Sequence, residues 1–197
     1  MQINNIYLKW GLTNVDLHFT FTLEGVMLKI LFISATMFVS FQQLKITKMP
    51  LPPRGLRDST QNYIVIHNDG SNMSARGTHS VLRRRRLSYH YFVARDGKIY
   101  EYVNPKYIAR HAGISLYDGI KFWNDFSIGI CLQGMNGLVY TDKQYESLSR
   151  LVQQLHNRYP DSKTRPILTH AQVAFPFGRK KDPGETFDVS RIKTDSI

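Results

Sequence analysis

His67, His170 and Asp182 are the residues of this chain best suited to holding a cation. His67 ends the β-branched run Tyr63-Ile-Val-Ile-His67, and His170 follows the short run Ile167-Leu168-Thr169. Asp182 sits in a loop punctuated by Pro176, Gly178, Pro183 and Gly184, and Lys180, two residues away, shares its face in an extended segment. Two imidazoles and a carboxylate with a fourth position open form a catalytic zinc donor set, in which a bound water reaches a pKa near ~7. The same histidines fit a second pattern. His67-Asn68-Asp69 followed by His170 is a His-x-Asp…His set of the kind that holds iron(II) in non-haem oxygenases, with Arg179 available to an oxo-acid. That chemistry needs a barrel of strands between the ligands, and a helix expected just before His170 leaves too few strands for one.

The elements that must position these residues are legible in part. Tyr63–His67 reads as a buried strand stopped by the turn residues Asn68-Asp69-Gly70-Ser71. Ala75–Leu87 reads as a helix carrying Arg83–Arg86, four consecutive residues that cover all its sides and so form a solvated surface rather than one flat patch. Ser88–Ala94 and Ile99–Val103 flank Asp96-Gly97 as a hairpin. Period two puts Tyr89, Tyr91 and Val93 on one face and His90, Phe92 and Ala94 on the other, so only one of Tyr89 and His90 can face a cleft. Asn104–Trp123, which contains Arg110-His111-Ala112-Gly113, reads as a loop. Ser127–Leu132 is a third buried strand, with Gly129 allowing close backbone approach. Thr141-Asp-Lys-Gln144 is a capping box opening a helix whose stripe is Tyr145, Leu148, Leu151, Val152, Leu155 and Tyr159. Pro160 ends that helix, and His156, off the stripe, is expected at the surface. Asp188–Ile192 is a last short helical piece. Strands alternating with helices predict an α/β fold with a mixed central β-sheet flanked by helices.

A chain of 197 residues suits one core-bearing domain. Its net charge of +11 favours acidic partners, whether nucleic acid, anionic lipid or an anionic polymer. No motif or aromatic-interleaved basic face supports nucleic acid, so no such partner is expected. The single cysteine, Cys131, excludes an intramolecular disulfide framework. Residues 1–26 show no clean period and read as unstructured, or as lying ahead of a true start at Met27. Lys29 and the uncharged run Ile30–Phe41 make 27–41 a signal peptide or membrane anchor, the run being too short to span a bilayer comfortably. Pro50, Pro52 and Pro53 mark 42–61 as a linker, leaving 62–197 as the domain. Tether and charge together predict a periplasmic or secreted protein associated with membrane or cell envelope; the cytoplasm is the alternative. Oligomeric state is not legible.

Several stretches carry a likeness. Ile64-Val-Ile-His67, Tyr89-His-Tyr-Phe-Val-Ala-Arg-Asp-Gly97, Arg110-His-Ala-Gly113, Asn124-Asp-Phe-Ser-Ile-Gly-Ile130 and Gly178-Arg-Lys-Lys-Asp-Pro-Gly184 fall in one order along the domain. From about Tyr63 to Ile192 the chain resembles the zinc N-acetylmuramoyl-L-alanine amidases, the amidase type 2 or peptidoglycan recognition protein family. The resemblance implies Zn2+ on His67, His170 and Asp182, and hydrolysis of the lactyl amide between N-acetylmuramic acid and L-alanine in peptidoglycan or muropeptides. It implies catalytic roles for Tyr89 and Lys180, and substrate contacts from His111 and Arg179. One departure stands out. Many anhydromuramyl-peptide amidases carry Glu where this chain has Cys131, whereas phage lysozyme-type amidases and peptidoglycan recognition proteins lack that Glu and use a Tyr at the position matching Tyr89. A non-catalytic peptidoglycan-binding module on the same fold is the alternative reading.

Overall fold

Period-two alternation along the two longest strands divides the domain into a packed side and a working side. The computed structural model describes residues 44–58 and 62–194. In chain order these form β1 (Ile46–Lys48), β2 (Tyr63–Asn68), α1 (Ala75–Arg85), β3 (Tyr91–Val93), β4 (Ile99–Glu101), β5 (Leu116–Tyr117), β6 (Ile120–Lys121), β7 (Ser127–Leu132), α2 (Asp142–Arg158), β8 (Ile167–Thr169) and the single-turn α3 (His170–Val173). Short 3-10 turns follow at Pro160–Thr164 and Val189–Arg191. Six strands form one sheet in the order β1-β4-β3-β7-β2-β8. The β3–β4 hairpin is antiparallel and the other neighbours are parallel, which is the expected mixed sheet.

On the packed side, Ile64 and Ile66 of β2 and Ile128, Ile130 and Leu132 of β7 join Tyr91 and Val93 against Tyr145, Leu148, Leu151, Val152 and Leu155 of α2. The α2 capping box forms as its sequence predicts, with Thr141 and Gln144 bonding each other's backbone. Gln144 also reaches the Val93 and Gln133 carbonyls, which locks the start of α2 to the sheet. Leu148 and Leu151 are fully buried, so either change to Ala would cost roughly 2–5 kcal/mol. Alternation turns Val65 and His67 of β2, and Ser127, Gly129 and Cys131 of β7, to the opposite face. There α1 contributes Ala75 and Leu82 to a second cluster with Phe92, Tyr102 and Cys131.

Four expectations are corrected. Residues 44–58 are part of the domain and not a linker: β1 pairs with β4, Leu51 is buried, and Met49, Leu51, Arg54 and Arg57 donate backbone bonds to Glu101, Tyr102, Ile108 and Lys106. Arg57 is itself buried, donating to the Pro105, Asp58 and Phe126 carbonyls. The prolines suit this segment because an edge strand and its exit need few ladder donors. Asn104–Trp123 is not all loop. It holds the β5–β6 hairpin, turned by Asp118 and Gly119, both at positive φ, an Asp-Gly signal of the same kind as Asp96-Gly97. β3 starts only at Tyr91, so strict alternation does not reach Tyr89, which packs with Phe92 and Cys131 rather than with Tyr91 and Val93. Finally, His156 is buried and not at the surface.

Segments 1–26 and 27–41 lie outside the described residues. Among the described residues no helix is long and apolar enough to cross a membrane.

Candidate metal centre

β2 carries His67 to a fully buried position on the working face. β8 ends at Thr169, whose hydroxyl caps α3 by accepting from Gln172 N, and His170 is the first residue of that turn. The loop bearing Asp182 is tied back to the same turn, since Ala171 N donates to the Asp182 carbonyl at 3.0 Å. Asp182 Oδ2 then lies 3.0 Å from His170 Nδ1 and 3.3 Å from His67 Nδ1. One ligand atom from each residue falls within 4.8 Å of the others. His67 Nδ1 is buried without a hydrogen-bond partner. A buried polar atom in that state is costly and calls for an explanation. A cation shared with His170 and Asp182 supplies one, and the two-nitrogen, one-carboxylate set suits zinc with a position left open.

Electrostatics prepares these groups as ligands. Burial first, then the neighbouring His170, pushes His67 down to about 4, so its imidazole is neutral and its lone pair available. Burial works to raise the Asp182 carboxyl, yet the two imidazoles, His170 foremost, hold it well below the usual carboxylate range. Both histidines aim Nδ1 at the centre and Nε2 away from it. His67 Nε2 is 3.0 Å from His111 Nδ1, and His170 Nε2 is 3.1 Å from the Ala112 carbonyl.

The centre opens into a cleft of about 230 Å³ lined by Tyr89, Arg85, Arg110, His170 and Lys180 among others. A second, more open cleft of about 500 Å³ shares Asn68, Gly70, Lys180 and Asp182 and continues along Met135, Asn136, Arg179 and Lys181. The Tyr89 ring lies 5.0 Å from that of His67. Burial above all, and then Cys131 beside it, keeps the Tyr89 hydroxyl well above its usual range, and burial does the same to the Cys131 thiol. Both groups are therefore neutral.

Of the residues expected here, the structure brings together His67, His170, Asp182, Tyr89 and Lys180. His111 also lines the first cleft, mostly buried, with its Nδ1 3.0 Å from His67 Nε2. Arg179 bonds the Phe175, Ala112 and Ile114 carbonyls, bracing its own loop against the Arg110–Gly113 stretch. The iron pattern fails. Asp69 Oδ2 accepts from Met73 N, Ser71 Oγ and Thr78 Oγ1, and Oδ1 accepts from Gly134 N, so this carboxylate shapes a turn; among the described residues the strands form an open six-stranded sheet and a small hairpin, and no barrel. Two supporting residues were not singled out in the sequence, although both lie in the Asn124–Ile130 stretch that carries the family likeness. Asn124 Oδ1 accepts from both His111 N and Ala112 N at 2.8 Å, and Ser127 Oγ lies 3.4 Å from His111 Nε2.

A family model for N-acetylmuramoyl-L-alanine amidases matches residues 57–185. The chain belongs to the N-acetylmuramoyl-L-alanine amidase family. Within it, the chain is 43% identical over 108 residues to the 1,6-anhydro-N-acetylmuramyl-L-alanine amidase AmpD of Escherichia coli K12, a match covering 55% of this chain and 57% of AmpD. It thus spans a little over half the length of the curated relatives it matches. A crystal structure of a selenomethionine AmpD derivative superposes with a TM-score of 0.63 at 32% identity, covering 75% of this chain and 92% of that one. The E. coli amidase AmiD, solved with anhydro-N-acetylmuramic acid-L-Ala-D-γ-Glu-L-Lys, superposes at 0.59 with 25% identity over 72% of this chain and 59% of AmiD. The matched amidase region begins at Arg57, inside the segment that sequence alone assigned to a linker.

Proposed function

We propose that this chain is a zinc-dependent N-acetylmuramoyl-L-alanine amidase that hydrolyses the amide joining N-acetylmuramic acid to L-alanine. The observation that carries the reading is the meeting of His67 Nδ1, His170 Nδ1 and an Asp182 oxygen, with His67 Nδ1 buried and unpartnered, at the junction of two clefts. A zinc ion held there supplies Lewis acidity and a water nucleophile at neutral pH. The protein's own groups do the rest. Lys180, on the rim of both clefts, places positive charge where the attacked carbonyl oxygen turns negative. Tyr89, neutral at the wall of the cleft, keeps its proton and serves by donating a hydrogen bond that orients the attacking oxygen. Cys131, also neutral, supplies no base. The amide C–N bond breaks, water adds its oxygen to the lactyl carbonyl, and its proton goes to the leaving L-alanine nitrogen. Two clefts leading away from Asp182 suit a substrate with a sugar on one side and a peptide on the other.

The likeness to AmpD and to the AmiD complex supports an anhydro-muropeptide as one substrate, alongside strands of peptidoglycan. An export signal or anchor in residues 27–41 would place the enzyme in the periplasm or outside the cell, and its positive charge would hold it to an anionic envelope. A pure binding module has no use for a buried ligand triad. The test is mass spectrometry of wall fragments and anhydro-muropeptides after incubation. Free peptides beginning with L-alanine should appear, vanish with chelator and return with zinc. Intact substrate under every condition would sink the reading.

A further inference from the structure

The hydrogen bonds behind the metal centre can be followed from their far end, and their direction is forced. Ser127 Oγ sits against the Trp123 carbonyl, which can only accept, so the hydroxyl proton goes there. The Ser127 oxygen is left to accept from its other neighbour, His111 Nε2, at 3.4 Å. His111 then carries its proton on Nε2, and its Nδ1, bare, accepts from His67 Nε2–H at 3.0 Å. That leaves His67 Nδ1 without a proton, and this is the atom buried beside Asp182 with no hydrogen-bond partner. The next residue does the same for the other imidazole: the Ala112 carbonyl takes the Nε2–H of His170 at 3.1 Å and leaves Nδ1 facing Asp182.

We propose that His111 is the positioning residue of the centre, fixing His67 in the tautomer whose Nδ1 lone pair points at the metal. The proposal rests on the metal reading above and deepens it. The surroundings are built for this placement. Asn124 Oδ1 clamps both His111 N and Ala112 N, so one side chain seats the two groups that orient both histidines. The His111 ring lies so close over β7 that a Cβ on Gly129 would come within 2.5 Å of it. Gly129 is fixed in turn by His90, whose Nδ1 accepts from Gly129 N while its Nε2–H donates to the Tyr107 carbonyl. No side chain other than hydrogen fits at 129, and an imidazole at 111 has an acceptor at the right place for His67. Ligating histidines ordinarily donate their second N–H to such a partner, and losing it costs about 10–100-fold in metal affinity.

Two measurements test this. In 15N-histidine-labelled protein kept metal-free with chelator, long-range 1H–15N correlation should show His67 with its proton on Nε2. A proton on Nδ1 overturns the proposal, and this arm holds even if zinc never binds. Zinc dissociation constants from chelator competition form the second arm. His111→Phe should weaken zinc by about 10–100-fold, and His111→Gln, whose amide oxygen can still accept, should recover part of the loss. Equal affinity in wild type and His111→Phe overturns it. Should His111→Phe fail to fold, Ser127→Ala removes the far acceptor, together with the hydroxyl's bond to the Trp123 carbonyl, and must both shift the His67 tautomer balance and weaken zinc; neither change would also overturn it. A wild-type protein that binds no zinc defeats the metal reading instead.

Discussion

Cys131 stands directly opposite His67 across the parallel β2–β7 pair, and the Tyr89 ring rests against His67 from the neighbouring strand end. The place beside the three candidate ligands is thus shared by a phenol and a thiol, both kept neutral by burial. Tyr89→Phe should lower kcat by roughly 10²–10⁴, the usual worth of a positioned acid–base or donor group. Cys131→Ser should cost far less. Steady-state kinetics on a muropeptide would rank the two, and the reverse order would show that the thiol takes part.

Asp182 is the only carboxylate among the three ligand candidates. Asp182→Ala should leave the protein unable to retain metal through purification, as elemental analysis would show. The wild-type melting temperature should rise with added zinc, by the equivalent of about 2.7 kcal/mol when free zinc is 100 times its dissociation constant, while the variant's should not move.

His90 gives the fold a defined response to acid. Burial pushes it down to about 3 from an ordinary 6.5, so the folded state keeps it neutral while the unfolded chain takes up a proton below pH 6.5. Stability is therefore intact above that value and lost as pH falls toward the folded pKa, at up to about 1.4 kcal/mol per pH unit for this one group. Urea unfolding of metal-free protein at pH 7, 6 and 5 should show a slope at least that steep, since burial also holds His67 and His111 down, and it should be shallower by one proton's worth in His90→Gln.

Arg57 joins the amino-terminal segment to two distant loops through the Pro105 and Phe126 carbonyls and also bonds the carbonyl of its neighbour Asp58. Arg57→Ala strands those acceptors and opens space around them, and should cost roughly 2–4 kcal/mol in denaturant unfolding. A loss below about 0.5 kcal/mol, the range of ordinary surface changes, would mean that the segment is a passive appendage.

Residues 27–41 should direct export. A reporter active only outside the cytoplasm, fused after residue 43, should become active. A silent reporter would assign the enzyme to soluble muropeptides inside the cell. The fusion point lies ahead of Leu44 because the residues from there onward belong to the domain.

What was legible in the sequence was local or periodic. The clustering of His67, His170 and Asp182 showed through strand-end histidines and a loop carboxylate, and α2 through its capping box and stripe. What was missed depended on neighbours distant in sequence. β1 is only three residues long and owes its conformation to β4, so no run of its own announces it. Tyr89 escapes alternation because the strand it precedes had not yet begun. Asn124 and Ser127 are common polar residues, and only the return of the Arg110–Gly113 stretch above them makes them supports for the metal centre. The β5–β6 hairpin was readable from Asp118-Gly119 but flanked by strands of two residues each, too short to show a period.

β1 also has a protective side. It covers the outer edge of β4, the end of the sheet that would otherwise offer unpaired backbone groups. It is short, carries Lys48, and runs out into Pro50, Pro52 and Pro53, features that discourage a further strand from adding on. A chain cut back to Asn62 would hand that open edge to its neighbours. Such a protein would keep His67, His170 and Asp182 and still be prone to join edge to edge with copies of itself, so solubility, before catalysis, is what this short strand secures.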